Sequence, residues 1–171
     1  MCASPKIQKT NAARLLDRAR IAYELVPYKF DPEDLAAQHV AEELGEPIEQ
    51  VYKTLVLHGD RTGHFVCVLA GNREVDLKKA AKASGNKKAE MIHVKELLPL
   101  TGYIRGGCTA IGMKKPFPVF LQKDAAAFPV FYVSAGQRGL QLKLSPKDYI
   151  SYTGATLCDI AADEPQSETE Q

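Results

Sequence analysis

Apolar positions along the chain fall into short blocks that switch between a helical period and strand-like runs. Thr10-Asn11 can cap a first helix, in which Ala12, Leu15, Leu16, Ala19 and Ala22 recur at helical spacing. Residues 23–30 read as a strand with Leu25 and Val26 inside it. Asp31-Pro32-Glu33 predicts the opening of a second helix, with Asp31 as cap and Pro32 in the first turn. Leu35, Ala36, Val40, Ala41 and Leu44 would line its buried face and Gly45 would end it. Glu46-Pro47 starts a short helical turn that leads into Val51-Tyr52-Lys53. Residues 54–58 and 64–70 are two apolar strands joined by a Gly59-Asp60-Arg61-Thr62-Gly63 hairpin loop. Helices follow over 76–84, stopped by Gly85, and over 93–98. Strands are predicted at 118–121, 130–134 and 140–144, then a helix opened by Ser145-Pro146 and ended by Gly154, and a closing strand near 157–160.

Helices and strands alternate irregularly, with hairpins among them. That excludes a strict βαβ repeat and predicts an α+β protein, a mixed sheet with helices packed around it. No GxGxxG follows a strand, and neither GxxxxGK[ST] nor GxSxG occurs, so dinucleotide, P-loop and nucleophile-elbow chemistry lack their signatures. The 171 residues suit one domain, with its body over 6–162. Residues 163–171 carry Asp163, Glu164, Glu168 and Glu170 with no base and no apolar residue, and read as a disordered acidic tail.

Composition narrows the class. The longest apolar run, 65–71, is far below the roughly 20 residues that span a bilayer, and the first residues lack a secretion signal. Both point to a cytoplasmic protein. Cysteines at 2, 67, 108 and 158 are too scattered for a zinc knuckle or a disulfide framework, and the four histidines have no metal-ligand spacing. No metal and no cofactor are expected. Net charge is +1, but the tail contributes −4, which leaves the body at +5. Residues 72–95 alone hold a local +4, with Lys78, Lys79, Lys82, Lys87 and Lys88 at its centre. Such a face either meets phosphates or is a solvated helix flank; charge alone does not choose.

Three places could carry chemistry. Period-2 alternation puts Lys53 on one strand face with Val51, Leu55 and Leu57, so its cation snorkels out, pairs with a carboxylate or awaits an anion. In Gly102-Tyr103-Ile104-Arg105-Gly106-Gly107-Cys108 the paired glycines allow close backbone approach to a ligand, or simply a tight turn. Ser134-Ala135-Gly136-Gln137-Arg138-Gly139 is a small-residue loop between strands. Cys108 invites a nucleophile reading, yet no histidine stands beside it in sequence.

Four blocks in order resemble the YbaK/EbsC family: Val51-Tyr52-Lys53-Thr54-Leu55, Asp76-Leu77-Lys78-Lys79-Ala80-Ala81, Gly102-Tyr103 with Gly106-Gly107, and Tyr132-Val133-Ser134 with Gly136 and Arg138-Gly139. The likeness runs from about Lys9 to Ala162. It implies a partly barrel-like mixed sheet surrounded by helices, the module that also serves as the editing insertion of prolyl-tRNA synthetases. It further implies hydrolysis of mischarged aminoacyl-tRNA, first of all Cys-tRNA(Pro), in which the substrate's own thiol attacks its ester. Lys53 matches the family's key lysine. Tyr28 matches a pocket tyrosine, Gly106 and Gly107 the glycines around the aminoacyl group, and Ser134, Gly136 and Arg138 the second pocket loop. Lys78, Lys79, Lys82, Lys87 and Lys88 become candidates for tRNA contact, with prolyl-tRNA synthetase as a further candidate partner and no membrane. Three departures bear on which amino acid is accepted. Thr109-Ala110 replaces Ser-Pro after the glycines, Ala135 stands where relatives often have glycine, and Gln141 stands where an acid is common. Deacylation of another residue such as alanine, or a silent tRNA- or synthetase-binding module, are the alternatives.

Overall fold

The structure, a computed structural model, describes residues 8–163. The tail read over 163–171 lies outside the described residues from 164 onward, as does Cys2. The elements run α1 (Asn11–Arg18), β1 (Glu24–Pro27), α2 (Ala37–Leu44), a 3-10 turn (Ile48–Gln50), β2 (Tyr52–Gly59), β3 (Gly63–Ala70), α3 (Leu77–Ser84), β4 (Ala89–Met91) and α4 (Val94–Thr101). Then follow β5 (Val119–Gln122), a second 3-10 turn (Lys123–Ala127), β6 (Phe131–Gln137), β7 (Leu140–Leu144), α5 (Pro146–Thr153) and β8 (Thr156–Cys158). Among the described residues no helix is long and apolar enough to cross a membrane.

The strands form two open sheets. One is the antiparallel trio β1-β7-β6; the other runs β4-β2-β3-β5-β8, antiparallel as far as β3 and parallel beyond it. A single parallel bridge from Val51 to Tyr132 ties the two together at the start of β2. The barrel-like enclosure is therefore partial: two sheets meet at one corner, and neither closes on itself.

The main core fills the space between the sheets. Tyr52, Val56, Val66 and Val68 from the larger sheet face Phe131, Val133, Leu142 and Leu144 from the smaller one, and Ala12, Ala13 and Leu16 of α1 cover one end. Tyr52, Phe131 and Tyr149 stack edge to face, with ring centroids 5.1 and 5.3 Å apart, a favoured geometry for aromatic pairs. A second cluster (Leu57, Phe65, Cys67, Phe120 and Ile160) packs on the far face of the larger sheet against Ala80 of α3. Strand β3 is covered on both sides, which is why residues 65–70 read as an unbroken apolar run rather than an alternating one.

Local chemistry explains most element ends. Thr10 accepts from the Ala13 N–H, Asp76 from Lys78 and Lys79, and Ser145 from Asp148, so each N-terminal cap is satisfied by its own side chain. Gly45 ends α2 at φ 70°, a left-handed conformation that favours glycine. The second helix is where sequence and structure differ most: it begins at Ala37, not at Asp31. The Asp31 carboxylate accepts from the Glu33 N–H at 2.9 Å, and the Asp34 carboxylate accepts from the Ala36 N–H at 3.3 Å. These short side chains capture the backbone in successive turns and postpone the helix. The strand read over 23–30 keeps only Glu24–Pro27, because pairing with β7 stops at Leu140. Three-residue β4 gave no readable period.

The segment after α5 is strapped down by buried polar chemistry. Gln122, 2% exposed, accepts from the Ile160 and Ala161 N–H groups at 2.7 and 3.0 Å and donates to Asp159. Lys79 donates to Asp159, to the Ala161 carbonyl and to Asp163, at 3.0, 2.9 and 3.0 Å.

Candidate functional site

Strand β2 has an open edge. It pairs with β3 along its whole length, but β4 reaches only Leu57–Gly59, so among the described residues no strand pairs with 52–56 on their other side. A cavity of ≈ 640 Å³ opens along that edge between the two sheets, within the usual range for small-ligand sites. Leu35, Ala37 and Val40 line it from the start of α2, Lys53, Thr54 and Leu55 from β2, Met91–Val94 and Leu97 from the α4 side, Arg105, Gly106 and Cys108 from the glycine loop, and Ser134 and Gln141 from the smaller sheet.

Lys53 lies half-buried in this cavity, and its ammonium donates one hydrogen bond of 3.3 Å to the Gly71 carbonyl. Burial pulls its pKa down from 10.5, opposed by the negative charge of Glu74. Gly71 has to be glycine because a Cβ there would collide with the Ala37 side chain. That close approach brings the carbonyl holding Lys53 beside the first residue of α2. Ala36, the cap of α2, offers no side-chain acceptor, so the positive end of the helix is left uncapped at the cavity wall. The ammonium and the helix start make this end of the cavity suited to an anion or a developing oxyanion.

Three side chains of the lining, Tyr52, Thr54 and Gln141, each carry a buried polar atom without a partner among the described residues. Thr54 Oγ1 and Gln141 Oε1 are buried and unpaired, and Gln141 as a whole is 5% exposed. Each such group costs about 1–3 kcal/mol when left unsatisfied. Gln141 sits directly across from Ser134 in the β6–β7 ladder, so both side chains share one face and reach the same cavity. The Ser134 hydroxyl accepts from the Gly136 N–H at 3.2 Å. Sequence reasoning singled out Gln141 only as a departure from relatives and did not select Thr54; a threonine inside a strand carries no signal until its burial is known.

The glycine loop divides its work. Gly106 lines the cavity at φ 87°, a conformation few side chains adopt. Gly107 does not line it: a Cβ there would lie 3.0 Å from the Gln137 Cα, and its N–H is already given to the Ile104 carbonyl at 2.9 Å. Gly107 is therefore a packing glycine, and its N–H is not free for a ligand. Arg138 holds the same loop by donating to the Arg105 carbonyl at 2.8 Å. Gly136 lets Tyr103 approach, and Tyr103 in turn anchors the loop's exit through the Ile111 carbonyl at 2.6 Å. Tyr28 packs beneath α2 with Val40, Ala41, Val51 and Tyr132, and its N–H donates to the Gly139 carbonyl. Of the sequence-selected pocket residues, Lys53, Gly106 and Ser134 thus line the cavity; Tyr28, Gly107, Gly136 and Arg138 stand outside its lining and support it. Ala135 faces the main core and cannot narrow the cavity by its methyl group.

Cys108 is in the lining but buried, and desolvation pushes its thiol up to about 12. It stays protonated near neutral pH and is no nucleophile. Among the described residues no group of three His, Cys, Asp or Glu side chains could hold a metal ion. The basic segment splits as well. Lys78, Lys87 and Lys88 line a second depression of ≈ 590 Å³ with His58, Asp60 and Glu90, and Lys82 lies in the last turn of α3. Lys79 is taken up by Asp159 and Asp163, which raise its pKa.

A family model described as an aminoacyl-tRNA editing domain matches residues 31–152. The chain belongs to the aminoacyl-tRNA editing domain family. A protein of Enterococcus faecalis, described as a candidate Cys-tRNA(Pro)/Cys-tRNA(Cys) deacylase named EbsC, is 46% identical over 157 residues, 92% of this chain and 96% of that one. A proline–tRNA ligase of Cupriavidus necator is 30% identical over 127 residues, 72% of this chain but 22% of the ligase. A solved structure described as a candidate trans-editing enzyme for prolyl-tRNA synthetase superposes with a TM-score of 0.77 at 23% identity, covering 91% of this chain and all of that one, a likeness of fold.

Proposed function

We propose that this protein is a trans-acting aminoacyl-tRNA deacylase that hydrolyses cysteine from mischarged tRNA, with Cys-tRNA(Pro) as its principal substrate. It acts as one domain over residues 6–162, in the cytoplasm. The observation that carries the reading is the cavity itself. It offers one half-buried lysine, an uncapped helix start and the unpaired polar atoms of Tyr52, Thr54 and Gln141, while the thiol it contains is held protonated. Such a site positions and polarises a substrate but brings no activated nucleophile.

A cysteinyl ester supplies the missing part. The substrate thiol attacks its own carbonyl carbon; a C–S bond forms, the C–O bond to the terminal ribose breaks, and the thiol proton ends on the ribose oxygen. Water then opens the resulting four-membered thiolactone to free cysteine. Lys53 and the start of α2 hold the negative charge, on the carbonyl oxygen or the adjoining phosphate, and Thr54 and Gln141 orient the amino acid through their unpaired oxygens. Selection at this second site matters because cysteine and proline have similar volumes, and apolar pockets separate near-isosteres poorly. Lys78, Lys82, Lys87 and Lys88 are the residues proposed to meet the tRNA backbone, with Tyr28, Gly107, Gly136 and Arg138 in support of the pocket. Prolyl-tRNA synthetase, which generates the mischarged species, is the proposed protein partner.

The test compares one tRNA(Pro) carrying cysteine, S-methylcysteine, alanine or 2-aminobutyrate. The last is close to cysteine in shape without its thiol. Hydrolysis of the cysteinyl ester alone is expected; equal loss of the 2-aminobutyryl ester would rule out attack by the substrate thiol.

A further inference from the structure

Helix α4 leaves an apolar stripe in solvent that its packing does not explain. Leu97 turns inward to the core and the cavity. Val94 and Leu98, four residues apart and so on one face, are 63% and 51% exposed, and Met91 just ahead of them is 43% exposed. Both Met91 and Val94 also line the cavity, so the stripe begins at its rim and runs outward from it. The helix start is fixed there by Glu96, whose carboxylate accepts from the His93 N–H at 2.8 Å.

We infer that this shelf of Met91, Val94 and Leu98 seats the base of the terminal nucleoside of the tRNA. The inference rests on the deacylase reading for what enters the cavity, and adds where the rest of the substrate lies. An amino acid held in the cavity is esterified to the terminal ribose, so the sugar stands at the mouth and its base one ring away. The rim offers two surroundings. The exposed Arg105 and the Gly106 backbone, both in the lining, suit a phosphate. The apolar shelf suits the face of a base. Contact with a flat apolar face is tolerant of base identity, as binding of single-stranded ends is in general.

The test is a binding cycle: wild type and the Val94→Gln/Leu98→Gln variant, each titrated with uncharged tRNA(Pro) and with the same tRNA lacking its terminal adenosine. Glutamine keeps helix propensity and adds no charge, and both positions are exposed, so the fold is retained. Wild type is expected to bind intact tRNA roughly tenfold more tightly than truncated tRNA, and the variant to lose that difference. A Val94→Leu/Leu98→Met variant should keep it. In Cys-tRNA hydrolysis the glutamine variant should raise KM by the same factor. An unchanged intact-to-truncated ratio in the glutamine variant overturns the inference, as does a wild type indifferent to the terminal adenosine. A variant that keeps the ratio but no longer associates with prolyl-tRNA synthetase would instead make the shelf a protein contact. If the ratio collapses as expected while no aminoacyl ester is hydrolysed, the shelf stands and the deacylase reading falls.

Discussion

Replacing Lys53 by methionine separates function from stability at one position. Methionine keeps an unbranched stem and removes the ammonium. The folded protein loses one 3.3 Å hydrogen bond to the Gly71 carbonyl, a net of about 0.5–1.5 kcal/mol. It also sheds a cation whose pKa burial holds below 10.5. The sign follows from proton counts: between the lowered and the ordinary pKa the folded state binds fewer protons than the unfolded one. Burying the cation therefore costs stability at every pH below the lowered value, and the cost fades as pH rises through it. The two losses oppose each other, so the unfolding free energy should move by no more than about 1 kcal/mol. Catalysis should respond far more. A charge-assisted contact to the reacting ester or its phosphate is worth about 1.5–3 kcal/mol, or roughly ten- to more than a hundredfold in rate. Denaturant unfolding and single-turnover hydrolysis of Cys-tRNA(Pro) read the two effects on one preparation. A folded Lys53→Met protein with the wild-type rate would refute the assignment of the site.

Three other outcomes follow from the same geometry. Gly107→Ala places a methyl group against the Gln137 and Arg138 backbone at 3.0 to 3.2 Å, and should destabilise by about 1–3 kcal/mol in thermal unfolding; no change would mean the loop is not packed as described. Cys108→Ala should leave the deacylation rate within about twofold, because its thiol, pushed up to about 12, is never the attacking group, and a hundredfold loss would reinstate it as nucleophile. Asp159 is held below its ordinary 3.8 chiefly by its hydrogen bond with Lys79 and then by Gln122, so the stability it adds is present above that ordinary value and is lost as pH falls through the lowered one. The difference in melting temperature between wild type and Lys79→Met should therefore be constant from about pH 5 to 7 and shrink below about pH 4; a difference independent of pH would assign Lys79 a packing role only.

Much of the fold was legible because its signals are local. The caps Thr10 and Ser145, the stops Gly45, Gly85 and Gly154, and the apolar runs of β2 and β3 were all readable in place. The start of α2 was not. Asp31 followed by Pro32 looks like a helix opening, and only the captured backbone around Asp31 and Asp34 shows that these residues turn instead. Lys53 stood out as a cation among apolar neighbours, but its surroundings depend on β4 ending at Met91, on Gly71 approaching Ala37 and on the smaller sheet delivering Gln141. None of these is a local property of the sequence around residue 53. The two glycines of the 106–107 pair look equivalent in sequence and differ in role because Gln137 lies against only one of them. The basic segment shows the same limit: Lys78 and Lys79 are neighbours, yet Lys79 is committed to Asp159 and Asp163 while Lys78 faces a depression shared with Lys87 and Lys88.

The most direct measurement is single-turnover hydrolysis by the wild-type protein of tRNA(Pro) carrying cysteine, with the same tRNA carrying alanine, serine or proline in parallel. Rapid release of cysteine with the other three esters surviving at their uncatalysed rate is the expected result. Hydrolysis of none of the four, by a protein that still binds the tRNA, would contradict it.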